Sequence, residues 1–325
     1  MKSISLVFML ICTSYVMAQF SPPAGQPGSV AIYKDDSRIK AWATEISVIR
    51  GPIHALDSSM GFASAGLPES AIGPAGTDGV VSLGDGGTAT IRFNGKVYND
   101  AGFDFVVFEN SFSDDFLEFA FVEVSTDGEK FIQFPATSLL DTSIQTDPFG
   151  LSDCRKVNNL AGNFRALYGT PFDLDELKDS TGIDISDIRY IRIRDVIGSI
   201  NPVISSRDSK RNKINDPFPT DFPSCGFDLD AVGAIHIQLN TAIFQPNKNS
   251  DIKLISNFIS EDTPLQVLNS SSLFYSMNLV DVCGKIVQTF QVAPNQLQSI
   301  SLQQIKGLYF LTTENAHFNF RIILQ

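Results

Sequence analysis

The sequence predicts an all-β protein: a jelly-roll β-sandwich with one short helix, followed by a small C-terminal β-sandwich. Three observations carry that expectation. Short runs of alternating apolar residues recur along the chain, Gly- and Asp-rich turns separate them, and phenylalanine is abundant, with 26 residues against 7 tyrosines and 1 tryptophan. Alternation at period two puts every second side chain on one face of a strand, and aromatic rings suit the packed face of such a sheet. Contiguous strands of this kind could also close into a barrel, which is the second expectation.

The elements follow in order. Residues 1–18 read as a signal peptide: Lys2, the apolar run "ISLVFMLICTSYVMA", and Val16-Met17-Ala18 ahead of cleavage before Gln19. The run is too short, and too interrupted by Thr13, Ser14 and Tyr15, for a membrane anchor. Residues 19–78 are rich in Gly, Pro, Ala and Ser and read as an irregular lead-in packed on the main domain. The main β-sandwich is expected over 79–240, with strands in "TATIRF", "GFDFVVFEN", "IRYIRIRDVIG" and "FDLDAVGAIHIQL". "EFAFVEVSTDGEKFIQFP" reads as a hairpin turning at Asp127-Gly128. The helix is expected in "GTPFDLDELKDSTG", with Thr170 as N-cap, Pro171 at the first helical position and Gly182 near the stop. Residues 241–325 turn to Asn, Gln and Ser between short apolar strands and read as a separate unit.

With 325 residues the chain can build two domains. A net charge of −12 argues against nucleic acid or an anionic membrane surface as partner. It suits a secreted or outer-surface protein, and one that holds divalent cations. Removal of the signal takes Cys12 away and leaves Cys154, Cys225 and Cys283. An exported chain permits disulfides, and Cys154–Cys225 is the expected bridge; free buried thiols are the alternative.

The carboxylates cluster in two stretches. Asp100, Asp104, Glu109, Asp114, Asp115 and Glu118 surround "DFVVFENSFSDDF", and Asp208, Asp216, Asp221, Asp228 and Asp230 form the second group. Calcium takes six to eight oxygen ligands, and these loops offer them. Glu109, Asp114, Asp228 and Asp230 are the expected set, with Asp228 and Asp230 sharing one strand face by parity. Solvated loop acids and caps on backbone amides are the alternative. For a ligand, Tyr168 beside Gly169 is the best exposed aromatic, with Trp42 the other candidate. Glu109 and Glu123 could act as a glycosidase pair if their strands are neighbours. "SLGDGGTAT" lacks the Lys-Ser/Thr of a phosphate loop and reads as a turn.

Two resemblances add to this reading. "VEVSTDGEKFIQF" and "IRYIRIRD" resemble strand pairs of galactose-binding-like (discoidin-type) jelly rolls, which implies that fold and a structural calcium. "GVVSLGDGGTATIRF", "DFVVFENSFSDDFLEFAFVEVSTDG", "NLAGNFRALYGTPFDLDEL" and "NKINDPFPTDFPSCGFDLDAVG", in that order, resemble a family of uncharacterised secreted bacterial cell-surface proteins. Some relatives in that family are linked to outer-membrane nutrient uptake, corrinoids included. Cys225 stands where the family suggests a small residue such as glycine, and Cys154 is then its compensating partner. The tail resembles the C-terminal sorting domain of the type IX secretion system: Pro246-Asn247, Asp281 with Gly284-Lys285, Gly307-Leu308-Tyr309 and the closing "FRIIL", with Lys248 in place of the usual second proline. That resemblance implies the type IX machinery as partner and the outer cell surface as destination.

The expected function is thus a non-enzymatic, calcium-stabilised surface module for a glycan or another nutrient ligand. A glycoside-active hydrolase and an adhesive or structural surface protein are the alternatives.

Overall fold

The computed structural model describes residues 20–239 and, of the tail, 252–255, 258–259, 264–282, 285–302, 306–313 and 319–324. The expected signal peptide with Cys12, the Pro246-Asn247-Lys248 opening and Cys283-Gly284 lie outside the described residues. The chain divides into two units, Met1–Asn240 and Thr241–Gln325.

In the first unit the strands that matter are β1 (Ile32–Tyr33), β2 (Ala41–Trp42), β3 (Glu45–Ile49), β4 (Val81–Ser82), β5 (Thr88–Arg92), β6 (Phe105–Glu109), β7 (Ala120–Ser125), β8 (Ile132–Gln133), β9 (Tyr168–Phe172), β10 (Tyr190–Asp195) and β11 (Asp228–Ala234). They form two antiparallel sheets. One runs β1-β9-β6-β11-β2, with β4 also paired to β11; the other runs β3-β5-β10-β7-β8. A single apolar core joins them: Phe105, Val107, Leu229 and Val232 from the first sheet meet Ile91, Val122, Val124, Ile191 and Ile193 from the second. The result is a β-sandwich.

Burial follows each strand's surroundings. β10 alternates, with Ile191, Ile193 and Asp195 buried and Tyr190, Arg192 and Arg194 partly exposed. β6 is buried throughout because both its faces are covered. Phe105 and Val107 face the shared core, while Val106 and Phe108 pack with Ile32, Trp42 and Ala231. Phe105 stacks on Phe172 with ring centroids 5.3 Å apart, and Phe134 packs against both rings. Truncating one such ring costs about 3–5 kcal/mol.

The Asp127-Gly128 hairpin forms as expected. Asp127 Oδ1 accepts from the amides of Glu129 and Lys130, and Gly128 adopts φ +81°. Elsewhere the boundaries differ from the expectation. The stretch read as an irregular lead-in supplies β1, β2 and β3, whose lengths of two to five residues are too short to announce themselves by periodicity. The helix begins later than expected. Thr170 and Pro171 belong to β9, paired with Val107 and Val106, and the helical turn is a 3-10 segment at Leu174–Leu177 capped by Asp173, which accepts from the Asp175 amide. Pairing with β6 overrides the Thr-Pro cap signal.

The second unit carries β12 (Ile252–Leu254), β13 (Phe258–Ile259), β14 (Leu265–Asn269), β15 (Tyr275–Asp281), β16 (Ile286–Val292), β17 (Gln296–Ile300), β18 (Gly307–Thr313) and β19 (Asn319–Leu324). They form two sheets, β12-β14-β17 and β13-β19-β18-β15-β16, over a core that includes Ile252, Leu265, Met277, Leu279, Leu311 and Ile322. The β15–β16 turn is closed by Asp281: its Oδ1 accepts from the Lys285 amide, and its own amide donates to the Lys285 carbonyl.

Candidate functional site

Antiparallel pairing brings carboxylates from both sheets to one end of the sandwich. β6 ends at Glu109, which pairs with Leu229 near the start of β11; β10 ends at Asp195, which pairs with Ala120 at the start of β7. Glu109 has the parity of Phe105 and Val107, and Asp195 that of Ile191 and Ile193, so both follow the core-facing side of their strands. Glu118 precedes β7 by two residues. Asp216 comes in from the β10–β11 connection, where its Oδ2 accepts from the Phe119 amide at 2.9 Å. Asp195 ties the sheets together: Oδ1 accepts from the Phe227 amide at 2.7 Å and Oδ2 from the Gly86 amide at 2.8 Å. Gly226, at φ +69°, leaves room for that contact, because a Cβ there would lie 2.8 Å from Asp195 Oδ1.

These acids are buried, at 3% exposure for Glu109, 2% for Asp195 and 3% for Asp216, while Glu118 keeps one edge in solvent. Burial pushes Glu109 up to about 8, with the Asp228 charge adding to it and Ser111, which donates to Oε2 through both its amide and its hydroxyl, opposing. Burial also holds Glu118 well above the usual carboxylate range, reinforced by Glu109, Asp216, Asp228 and Asp195. Asp195 and Asp216 rise by burial as well, against their amide donors; Asp85 adds to Asp195, and Asp195, Glu109 and Asp85 add to Asp216. Asp216 Oδ1 is buried and has no hydrogen-bond partner. Among the described residues no lysine, arginine or histidine pairs with Glu109, Glu118 or Asp216. Among the described residues no group of three or more histidine, cysteine, aspartate or glutamate side chains is placed to hold a metal ion.

The four acids singled out from the sequence separate. Glu109 and Asp228 lie near each other. Asp114 pairs with Arg165 at 2.5 Å, and Asp230 takes the Gly76 amide at 2.9 Å on both oxygens. The shared face expected for Asp228 and Asp230 is broken by a β-bulge between Leu229 and Ala231. Asp228 therefore meets Ser82, with Arg50 nearby, whereas Asp230 meets Gly76, with Lys34 nearby. Burial raises Asp228 to about 6.

The expected disulfide is absent. Cys154 and Cys225 are free, buried thiols. Cys154 packs with Leu117, Phe119 and Val157, while Cys225 sits against the Pro52 carbonyl. Burial raises Cys154 to about 11 and Cys225 to about 12, with the Asp85 and Asp195 charges adding at Cys225, far from thiolate reactivity. The glycosidase pair fails its own condition, because Glu109 and Glu123 lie on β6 and β7, strands of different sheets, and Glu123 is held by Arg192 and Arg194. His236 Nδ1 hydrogen-bonds with Asp104 Oδ1 at 2.7 Å.

Trp42 is half-buried on the outer side of the first sheet, tilted against Phe108 at 5.5 Å. Tyr168 stands beside Tyr33 with centroids 5.2 Å apart and carries the Arg165 guanidinium 4.6 Å over its ring. Sequence reasoning missed a cleft of about 400 Å³ alongside β9, lined by Phe20, Phe103, Phe164, Asn158, Asn159 and Asn163. Asn163 is 5% exposed and its Oδ1 has no partner.

No protein-family model matches the chain, and no curated protein matches it. Among solved structures a match is Faecalibacterium prausnitzii beta-glucuronidase, 13% identical, covering 87% of this chain and 44% of that one at a TM-score of 0.17. The chain thus spans less than half the length of that enzyme, and so slight a likeness carries neither fold nor activity across. Among the described residues no helix is long and apolar enough to cross a membrane.

Proposed function

We propose that this protein is a secreted, surface-associated binding module that takes a glycan or a comparably hydroxylated nutrient in the cleft beside β9. The galactose-binding-like resemblance of the first unit and the sorting-domain resemblance of the second, with export by the type IX system, belong to the same reading. The observation that carries it is the lining of the cleft: the partly exposed Phe20 and Phe103 for the apolar face of a sugar, and Asn158, Asn159 and Asn163 to exchange hydrogen bonds with hydroxyls. The buried Asn163 carbonyl oxygen lacks a donor within the protein and is supplied with one by a ligand hydroxyl.

The test is a calorimetric titration of the full secreted chain with a panel of neutral oligosaccharides. Saturable binding by at least one, weakened tenfold or more in Phe103→Ala and Asn159→Ala, is the expected result. Binding that both variants retain would move the ligand elsewhere, and no binding across the panel would favour an adhesive or structural role. Cleavage of a bound oligosaccharide would favour the hydrolase.

A further inference from the structure

The second sheet, β3-β5-β10-β7-β8, turns one face to the core and the other outward, and the outward face gathers arginines in a regular array. Cross-strand pairing lines up Ser47, Thr90, Arg192, Glu123 and Gln133 in one row. Ile49, Thr88, Arg194 and Phe121 form the next, and on the other side Glu45 stands against Arg92. The outward side chains of the five strands thus set three arginines, Arg92, Arg192 and Arg194, against two carboxylates, Glu45 and Glu123. That is a local positive excess in a chain of net charge −12, and at physiological salt the local charge governs, because screening acts over about 8 Å.

The three guanidiniums are held over aromatic rings. Arg192 Cζ lies 3.8 Å from the centre of the Phe131 ring, Arg194 Cζ 4.5 Å from that of Phe121, and Arg92 Cζ 5.1 Å from that of Tyr190. Such contacts fix a guanidinium without consuming its N–H groups. Glu123 sits between Arg192 and Arg194 and takes one of them on each oxygen. Nη1 of Arg192 and Nη1 of Arg194 donate no hydrogen bond among the described residues, and both side chains stay about one-third exposed. Long side chains ordered in advance lose little further freedom when a ligand arrives.

We propose that this outer face binds an acidic polysaccharide that carries carboxylates, laid across β5, β10 and β7. The face already shows the chemistry on itself: Arg192 and Arg194 grip the carboxylate of Glu123, and the planar fork of a guanidinium matches a carboxylate with two N–H groups. Arg192 and Arg194 stand two residues apart on one strand, about 7 Å, so they present charge at intervals, as a polysaccharide does from sugar to sugar. The hydroxyls of Ser47, Thr88 and Thr90 lie in the same rows and suit sugar hydroxyls. A nucleic acid fits less well. Its duplex carries a charge about every 1.7 Å, far more than this small excess neutralises, and the acidic remainder of the chain repels the rest. The face belongs to the sheet that does not contain β9, so the proposal does not depend on what the cleft beside β9 binds.

The experiment is affinity electrophoresis of the full chain through gels that hold sodium polygalacturonate or, as its uncharged counterpart, fully methyl-esterified polygalacturonate. Mobility is read against a polymer-free gel, which cancels each variant's own change in charge. Retardation by the charged polymer alone is expected, fading as salt is added. Arg192→Gln should weaken it at least tenfold and Arg92→Gln at least threefold. Arg38→Gln, which removes an exposed arginine outside this sheet, should leave it unchanged. Glu45→Gln removes a competing carboxylate and should tighten binding, a gain that no folding defect imitates. Arg92 and Glu45 are exposed and paired with each other, so their variants keep the fold even where Arg192→Gln does not. No retardation of the wild type, equal retardation by the ester, or unchanged affinity in both Arg92→Gln and Glu45→Gln would each overturn the proposal. Retardation by dextran sulfate or by a DNA duplex, and not by polygalacturonate, would overturn the choice of ligand.

Discussion

Asp208 and Asp216 lie on the same connection between β10 and β11 and are equally hidden, at 5% and 3% exposure. Their surroundings differ completely. Asp208 accepts from the amides of Ser138, Lys210 and Asn212 and from the Asn212 side chain. Burial pushes it up, but those donors outweigh burial and hold it below the ordinary range. Asp216 has one amide and several carboxylates for neighbours, and it rises. The second sheet repeats the first pattern: Glu123 is buried but lies between Arg192 and Arg194. Burial alone therefore does not set the state of a carboxylate in this protein; the donors and charges that it meets there do.

The contrast can be broken where it is strongest. Glu123→Ala should lower unfolding stability by about 2–3 kcal/mol, because two arginines, each about one-third exposed, lose their shared partner; urea unfolding would show it. A change under 1 kcal/mol would mean the arginines find water instead. The next effect is a pH dependence. Glu109 at about 8 lies above its ordinary value of 4.5. A folded-state value above the unfolded one favours folding at low pH, and that stability is lost as pH rises from about 4.5 towards 8. The loss by pH 7 is on the order of 3 kcal/mol for such a shift. Urea midpoints at several pH values would reveal this slope, and Glu109→Gln should flatten it.

Asp208→Ala leaves several donors unsatisfied and should cost about 2 kcal/mol. Asp216→Asn, by contrast, should be neutral or stabilising by about 1 kcal/mol, because it removes a charge that other carboxylates repel. That change of sign between two buried aspartates of one loop is the sharpest form of the comparison, and chemical denaturation measures it. The smallest effect concerns sulfur. A reducing agent should leave the melting temperature unchanged, because Cys154 and Cys225 are unbridged; a fall on reduction would restore the bridge.

Much of the sandwich was legible because period-two runs such as "IRYIRIRD" declare which face is buried. The two-residue strands β1, β2 and β4 declare nothing by themselves. The site was half legible. Glu109 and Asp228 stood out as carboxylates in apolar strands. Asp195 carried the same signal, a charge on the core parity of β10, and could have been found by it. Glu118 and Asp216 lie in loops, where no period applies, and join the group only once β6, β7, β10 and β11 are paired. The bulge after Leu229 defeated the parity argument for Asp230, since one extra residue turns the following side chains over.

The most direct measurement is the pair of unfolding free energies of Asp208→Ala and Asp216→Asn in urea at neutral pH. The account predicts a loss of about 2 kcal/mol for the first, which strips several donors of their acceptor, and no loss or a gain of about 1 kcal/mol for the second. Losses of equal size in both would contradict it, because the two buried aspartates would then be equally well satisfied.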